Sequence, residues 1–196
     1  MTTGTPLAPA RPVCSWQWPD DLDLYREELA ALLIASAADD GVLGYAGTDP
    51  EPAHAFAAGL AEAVEDGDAH VLVGTDGDGV AAMCVLEVNQ QPNCRHLAEV
   101  RKAYLRPRLR GTSAVLELAA QVCAKAREQG AEKLTIDVRE GTKAHRVWEH
   151  LGFTTFGVLE DYARVDGRSH RGCYMVHSVA ALEEYLAARL ADRAGR

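Results

Sequence analysis

Three arginines crowd one short turn of the sequence, and their surroundings favour the binding of an anion. Arg106, Arg108 and Arg110 all lie in the segment RPRLRG. A strand is predicted just before this turn, over 99–105, and a long amphipathic helix is predicted to begin near Ser113. The first turn of a helix has backbone N–H groups without partners, and the helix dipole favours negative charge there. The pattern therefore predicts a site for a phosphate-bearing cofactor, in a chain whose net charge is −9.

The elements that must position this turn follow from hydrophobic spacing and turn residues. Apolar residues that recur every three or four positions predict helices, and alternation predicts strands. The segment TDGDG is typical of a hairpin between two strands, Gly130 ends the helix after the basic turn, and Thr142 is placed to cap a short helix. The predicted strands span 11–18, 70–74, 80–88, 98–105, 133–138, 154–159 and 172–177. The predicted helices span 20–39, 56–64, 113–129, 142–151 and a last segment from 178 onward.

Composition restricts the class of protein. A chain of 196 residues with 47% hydrophobic content is expected to form one compact α/β domain. Residues 1–10 are predicted to be a disordered arm before a domain that spans 11–196. No apolar run approaches the ~18 residues of a membrane span, and the N-terminus has no signal-peptide pattern, so the cytoplasm is the expected location.

Nucleic acid and metal are not expected partners. The acidic balance argues against a nucleic-acid duplex, which needs clustered Lys and Arg. The histidines form no metal-binding motif, and His145 and His150 would lie on different faces of one helix, so no metal is expected. The five cysteines are odd in number and widely spaced without a Cys-x-x-Cys motif, which favours reduced thiols.

The order of these motifs resembles the GNAT superfamily of acyltransferases, which use acetyl-CoA. The resemblance is carried by YLRP, the RG turn, the following helix and strand, and the block AHRVWEHLGF, and it covers roughly residues 11–180. Within the superfamily, AEVRKAYLRPRLRG and DYARVDGR are most similar to the acetyltransferases of the tabtoxin-resistance type. The resemblance implies a mixed, mostly antiparallel central sheet flanked by helices. It also implies acetyl-CoA as the acyl donor and, because dimers are common in the family, a homodimer as one expectation.

The resemblance also implies which residues hold the cofactor. The exposed backbone of Ala103, Tyr104 and Leu105 would pair with the pantetheine arm. The pyrophosphate loop would comprise Arg110, Gly111, Thr112, Ser113, Ala114 and Val115. Arg106 and Arg108 are expected either to contact the adenosine phosphates or to be solvated.

Three positions depart from the family pattern. Ser113 and Val115 stand where small residues are usual; the Ser113 hydroxyl would form a hydrogen bond or cap the helix, and Val115 would either obstruct the phosphate or turn into the core. Trp148 stands where the family places a Tyr that protonates the departing thiolate. An indole cannot supply that proton, so Tyr104 and Tyr162 are considered as substitutes against ordinary packing.

Candidate bases follow from the same resemblance. Asp137 matches the catalytic carboxylate of the tabtoxin-type enzymes, and a solvated strand-end Asp is the alternative. Glu99 is the second candidate, with pairing to Arg101 or Lys102 as its structural alternative. Glu87 and Asp161 rank third. Trp148 and Tyr162 are expected on the substrate side, and the glycine-rich segment 41–54 is expected to wall the acceptor pocket as a mobile lid.

Two functions are compatible with these residues. The first is transfer of an acetyl group from acetyl-CoA to the primary amine of a small molecule, an amino-acid-like antibiotic or toxin being one candidate acceptor. The second is a degenerate GNAT domain that binds CoA or regulates with little catalysis. A P-loop and a Rossmann site are excluded because no Lys-Ser/Thr follows the turn and no G-x-G-x-x-G is present.

Overall fold

The computed structural model describes residues 13–39, 43–44, 49–165 and 167–194. The strands are Ser15–Gln17 (β1), His70–Asp76 (β2), Gly79–Val88 (β3), Leu97–Leu105 (β4), Lys133–Arg139 (β5), Thr154–Val165 (β6) and Arg168–Ser178 (β7). The helices are Arg26–Ala37 (α1), Pro50–Glu65 (α2), Ala114–Glu128 (α3), Lys143–His150 (α4) and Val179–Ala194 (α5). The predicted order of elements is confirmed. The predicted arm at 1–10 and residues 41–42 and 45–48 of the predicted loop lie outside the described residues.

Local sequence explains where several elements begin and end. Asp49 accepts a hydrogen bond from the Glu51 N–H at the start of α2, and Thr142 accepts one from the His145 N–H at the start of α4. The β2–β3 hairpin turns through the predicted TDGDG segment, where the Asp78 N–H donates to the Asp76 carboxylate at 2.9 Å. These caps satisfy donors that helix and turn geometry leave without partners.

The last two strands are longer than predicted because they form one extended hairpin with an irregular register. Leu159 pairs with Gly172 and Ala163 pairs with His170, so four steps along β6 face two steps along β7. Asp161 adopts a φ of +55° inside this bulge. A bulge interrupts the alternation that sequence patterns detect, so the pattern ends early although the strand continues.

One seven-stranded sheet carries the fold, in the order β1-β2-β3-β4-β5-β7-β6. The pairs are antiparallel except β4 with β5, which run parallel and pair only over Leu97–Glu99 and Lys133–Thr135. The mixed, mostly antiparallel sheet flanked by helices is thus confirmed. Beyond Glu99 the two central strands are no longer paired, which leaves a cleft in the middle of the sheet.

A bulge in β4 explains this divergence. Against β3, Arg101 pairs with Val85 and Tyr104 with Met83, so three steps on β4 face two on β3. Lys102 sits inside the bulge with a φ of +51°, a left-handed conformation that non-glycine residues seldom adopt. Such a bulge bends its strand, and here it accompanies the separation of β4 from β5.

The two faces of the sheet bury separate apolar clusters. Helices α3 and α5 cover one face, where Leu116, Val122 and Leu182 pack with strand residues such as Leu134 and Ile136. Helices α1 and α2 cover the other face over β2 and β3. The sheet is thus packed between two layers of helices.

Candidate active site

Two cavities open on the cleft between β4 and β5. The first, of about 200 Å³, lies among the end of β4, the basic turn, α3 and α4. The second, of about 430 Å³, lies among the β4 bulge, β5 and β6. They share five lining residues, and therefore adjoin one another: Ala103, Arg139, Thr142, Ala144 and Trp148. We call them the turn-side cavity and the β6-side cavity.

The end of β4 presents unpaired backbone to the cleft. The Arg106 N–H donates to the Ala81 carbonyl on β3 at 2.8 Å. Backbone groups alternate in direction along a strand, so the N–H and C=O of Leu105 and Ala103 are directed away from β3. Beyond Glu99 no β5 residue pairs with them, and both residues line the turn-side cavity. The Leu105 carbonyl accepts from the Arg110 guanidinium at 3.2 Å, and the rest of this edge is available to an extended ligand.

The basic turn presents a group of backbone donors. Gly111 adopts a φ of +76°, which glycine tolerates, and α3 begins three residues later. Within the described part of the chain, no hydrogen-bond acceptor lies on the N–H groups of Gly111, Ser113, Val115 or Leu116. Donors of this kind at a helix N-terminus fit a pyrophosphate.

The turn holds two of the residues that depart from the family pattern, Ser113 and Val115. Of the two alternatives for Ser113, the hydrogen bond is found and the cap is not: its hydroxyl donates to Glu117 at 2.7 Å, and it is Thr112 Oγ1 that accepts from the Ala114 N–H, at 3.1 Å. Val115 packs against the α3–α5 core cluster and lines the turn-side cavity. Its branched side chain therefore turns inward, and its N–H stays among the free donors.

The three arginines of the turn have different partners. Arg108 forms two hydrogen bonds of 2.8 Å with Asp76, and Arg106 Nε donates to the Val80 carbonyl at 3.1 Å. Arg110 alone lines the turn-side cavity, where it binds both carboxylate oxygens of Asp39 and the Leu105 carbonyl. The Arg110 hydrogen bonds hold the pKa of Asp39 below its usual range.

Asp137 and Tyr162 meet in the β6-side cavity. Asp137 lies on β5, on the face opposite Leu134 and Ile136 as predicted, and the Tyr162 hydroxyl donates a short hydrogen bond to its Oδ2. Burial, and after it this hydrogen bond, raises the pKa of Tyr162 well above its ordinary value. Tyr162 thus stays protonated, and its hydroxyl fixes the position of one carboxylate oxygen.

Gly172 makes this contact sterically feasible. A Cβ at position 172 would lie 2.2 Å from Cγ of Tyr162, so the ring occupies the space that a side chain on β7 would fill. Sequence reasoning missed Gly172. Its signal was an isolated glycine within a predicted strand, which commonly marks close approach of another group.

Glu99 lies on the same face of the sheet as Asp137 but lines neither of the two cavities. It pairs in register with Thr135 on β5 and with Glu87 on β3. The expected pairing of Glu99 with Arg101 or Lys102 is absent among the described hydrogen bonds and ion pairs, since Arg101 binds Glu87 at 2.7 and 2.9 Å. Burial and the nearby Asp137 charge raise the pKa of Glu99, against the effect of Arg101.

The lower-ranked acids are occupied elsewhere. Glu87 holds Arg101, and Asp161 holds Arg164 and accepts from the Ser169 hydroxyl at 2.6 Å. Neither carboxylate lines either cavity.

Trp148 lies where the two cavities join. It lines both and packs edge-on against Phe153, with ring centroids 5.0 Å apart. Tyr104 is buried, with its ring below the Arg110 guanidinium at 5.7 Å, and burial raises its pKa. Tyr104 therefore packs in the core beside the turn-side cavity.

The segment predicted to wall the acceptor pocket borders the β6-side cavity where it is described. Leu43 and Gly44 line the β6-side cavity, and Lys102 Nζ donates to the Leu43 carbonyl at 2.9 Å. Residues 41–42 and 45–48 of this segment lie outside the described part.

Two other features are absent from the described ranges. No helix there is long and apolar enough to cross a bilayer, and no three His, Cys, Asp or Glu side chains are grouped as metal ligands. All five cysteines are free thiols, and four of them are buried.

The chain matches a known family and several solved structures. Residues 10–153 match the sequence profile of the Acetyltransferase (GNAT) family. The fold is similar to that of a phosphinothricin acetyltransferase from Sinorhizobium meliloti in complex with AcCoA, at 18% identity and a TM-score of 0.67 over 85% of this chain and 89% of that one. It is similar to YncA from Salmonella typhimurium with its cofactor acetyl-CoA, at 16% identity and a TM-score of 0.67 over 85% and 94%. A ribosomal-protein-alanine N-acetyltransferase from Brucella melitensis gives 20% identity and a TM-score of 0.67 over 84% and 99%. The structural matches establish the fold, and the profile match shows that the chain belongs to the acetyltransferase (GNAT) family.

Proposed function

We propose that the protein transfers an acetyl group from acetyl-CoA to the primary amine of a small molecule. The observation that carries this proposal is the junction of the two cavities at Trp148. On one side lie free backbone donors and an open strand edge; on the other lies a carboxylate held by Tyr162.

The residues around the turn-side cavity fit acetyl-CoA. The free N–H groups of Gly111, Ser113 and Val115 would hold the pyrophosphate, with Arg110 beside them, and Ala103 and Leu105 would pair with the pantetheine amides. When bound, acetyl-CoA supplies an acyl group activated as a thioester, which a neutral amine converts to an amide with release of the CoA thiol.

Asp137 is the residue we propose to accept the amine proton. An ammonium cannot attack a thioester, so a base must lie within reach of the acceptor nitrogen. Asp137 lines the β6-side cavity, and the Tyr162 hydroxyl holds one of its oxygens, which leaves the other for the amine. Glu99 is the alternative base, acting through a water, and its raised pKa brings it closer to neutral pH.

Trp148 stands where the family places a tyrosine proton donor, but its indole cannot donate that proton. A thiol with a pKa of about 8.5 is a fair leaving group unaided, whereas a positioned acid contributes about 10²–10⁴-fold. The Tyr162 hydroxyl is an unsuitable substitute, because it is committed to Asp137 and its pKa is raised. We infer that Trp148 shapes the junction and that the thiolate departs without a tyrosine acid.

The rival proposal, a CoA-binding domain with little catalysis, rests on the same tryptophan. Trp148→Tyr separates the two proposals. A gain of about 10²-fold or more would indicate a site that lost its acid, while a loss of existing activity would show that Trp148 belongs to this enzyme's own site.

Two measurements test the proposed function directly. Isothermal titration should show acetyl-CoA binding, and absence of binding at millimolar cofactor would overturn the proposal. A free-thiol assay for released CoA across a panel of primary amines should then identify acceptors. Binding without thiol release from any amine would favour the rival.

A further inference from the structure

Lys102 is directed into the β6-side cavity by the bulge in β4. Its left-handed backbone breaks the alternation of the strand, and the residue lines the cavity together with Asp137 and Tyr162. The ammonium donates to the Leu43 carbonyl at 2.9 Å and lies 5.6 Å from the Phe56 ring centroid. The charge is therefore held at a defined place on the cavity wall.

Two of the other positive side chains that line this cavity are held in ion pairs. Arg101 has a two-fold hydrogen bond to Glu87, and Arg164 binds Asp161 at 2.9 and 3.1 Å. For Lys102, the described residues supply no carboxylate within 4 Å, and the Leu43 carbonyl uses one of its three donors. The ammonium is half-buried, and burial and the nearby Arg101 charge lower its pKa, against the raising effect of the Asp137 and Glu87 charges.

The cavity thus presents a carboxylate and an incompletely paired ammonium to the same space. A ligand that carries one group of each sign would complete both. Its amine would face Asp137, and its anion would face the two remaining donors of Lys102.

We propose that Lys102 binds a carboxylate of the acceptor, so that the enzyme acetylates amino acids in preference to simple amines. This inference rests on the proposed function, because it assigns the acceptor to the β6-side cavity. It names the acceptor's chemical class and the residue that selects it.

A structural role for Lys102 is the alternative that the experiment must separate. Through Leu43 the lysine also holds the segment at 43–44, so that its removal alone could distort the cavity. Distortion would affect every acceptor, whereas loss of an anion site affects only acceptors that carry the anion.

The test compares each carboxylate acceptor with its carboxamide, which lacks the negative charge. The panel contains L-α-amino acids, β-alanine and γ-aminobutyrate, each beside its carboxamide. The wild type, Lys102→Met, Lys102→Arg and the control Lys133→Met are compared; Lys133 is an exposed lysine at the start of β5. CoA release gives kcat/KM, and titration in the presence of CoA reports amines that bind without reacting.

The expected result is selective. Lys102→Met should lower the kcat/KM, or the affinity, for the best carboxylate acceptor by about 10- to 100-fold, as expected for loss of a charge-assisted hydrogen bond. The same quantity for the matching carboxamide should change less than about threefold. Lys102→Arg should restore part of the loss, and Lys133→Met should match the wild type.

Three results would overturn the inference. They are equal loss for carboxylate and carboxamide, no preference of the wild type for any carboxylate, and no binding of any carboxylate. Acetyl-CoA titration is run on the same preparations. If acetyl-CoA binds while the carboxylate preference is missing, only the inference fails; if acetyl-CoA does not bind, the proposed function itself fails.

Discussion

The Asp137 carboxylate and the Tyr162 hydroxyl form the contact on which the proposed chemistry depends. Tyr162 donates to one carboxylate oxygen and thereby limits the directions in which the other can accept a proton. Since burial raises the pKa of Tyr162, the hydroxyl remains a donor throughout the physiological range. The pair therefore fits the proposed role of an oriented base better than that of an acid–base couple.

Asp137→Asn should lower kcat/KM by about 10²–10⁴-fold, because the amide cannot accept the proton. Tyr162→Phe should cost less, about tenfold, because it removes only the orienting hydrogen bond. Both are measured by CoA release with an acceptor from the panel, and acetyl-CoA affinity by titration should stay near wild type. Full activity of Asp137→Asn combined with loss in Glu99→Gln would move the role of base to Glu99.

Arg110 and Asp39 should have opposite effects on cofactor affinity. Arg110→Ala removes a cation from the turn-side cavity and should weaken acetyl-CoA binding by about tenfold or more. Asp39→Asn removes both a competing carboxylate and a negative charge, and should tighten binding by about two- to fivefold, the scale of an exposed ion pair. The dissociation constant from titration checks both.

The control for this pair is Arg127→Ala. Arg127 lies on α3 and forms an ion pair with Glu183. It should leave acetyl-CoA affinity unchanged. Weaker binding in Asp39→Asn would show that the ion pair holds the cavity open instead of competing for Arg110.

At the scale of elements, the β6–β7 hairpin shapes the site through its bulge. The extra β6 residues turn Tyr162 across β7, and Gly172 leaves room for the ring. On the opposite wall, the β4 bulge directs the Lys102 side chain into the cavity. Both bulges re-aim a side chain into the cleft, a common use of this irregularity beside active sites.

Gly172→Ala should destabilise the fold by about 1–3 kcal/mol, because the new Cβ would overlap the Tyr162 ring. Since the ring must then move away from Asp137, kcat should be no higher than in Tyr162→Phe. In a Tyr162→Ala background the same change should cost little. Urea unfolding of the four proteins gives this coupling. Gly157→Ala on β6 is the matched control, since its Cβ would meet the Tyr174 Cβ at an ordinary 3.8 Å. Additive effects at 172 and 162 would contradict the packing argument.

At the scale of the whole molecule, the half-buried Glu99 makes stability depend on pH. Burial raises its pKa in the folded protein, while the unfolded chain titrates near the ordinary value of about 4.3. Between these two pKa values the folded state binds more protons than the unfolded state. The free energy of unfolding therefore falls as pH rises through this window, and the cost is absent below about pH 4.3.

Glu99→Gln should remove this cost. Its Tm should equal that of the wild type near pH 4 and exceed it at pH 7, as measured by thermal unfolding across that range. Glu65→Gln, at the exposed end of α2, serves as the control and should not show the same pH-dependent gain. A Tm difference that is constant with pH would show that Glu99 affects packing instead of titrating.

Local signals in the sequence determined the elements and the basic turn. Alternation around Asp137, the cap at Thr142 and the hairpin at TDGDG depend on neighbours within a few residues, so periodicity and turn residues were enough to predict them. The long β6–β7 hairpin was predicted too short for the same reason, because bulges interrupt a local pattern.

Only the tertiary structure decided how the site is assembled. Tyr162 reaches Asp137 across 25 positions, and Arg110 reaches Asp39 across 71. Which distant residues meet depends on strand register and on the positions of the two bulges, and a shift of one residue reverses the face of every side chain. The sequence by itself therefore determined a basic turn within a GNAT-like order of elements, while the contact between Asp137 and Tyr162, the remaining donors of Lys102 and the partner of each arginine follow from the folded sheet.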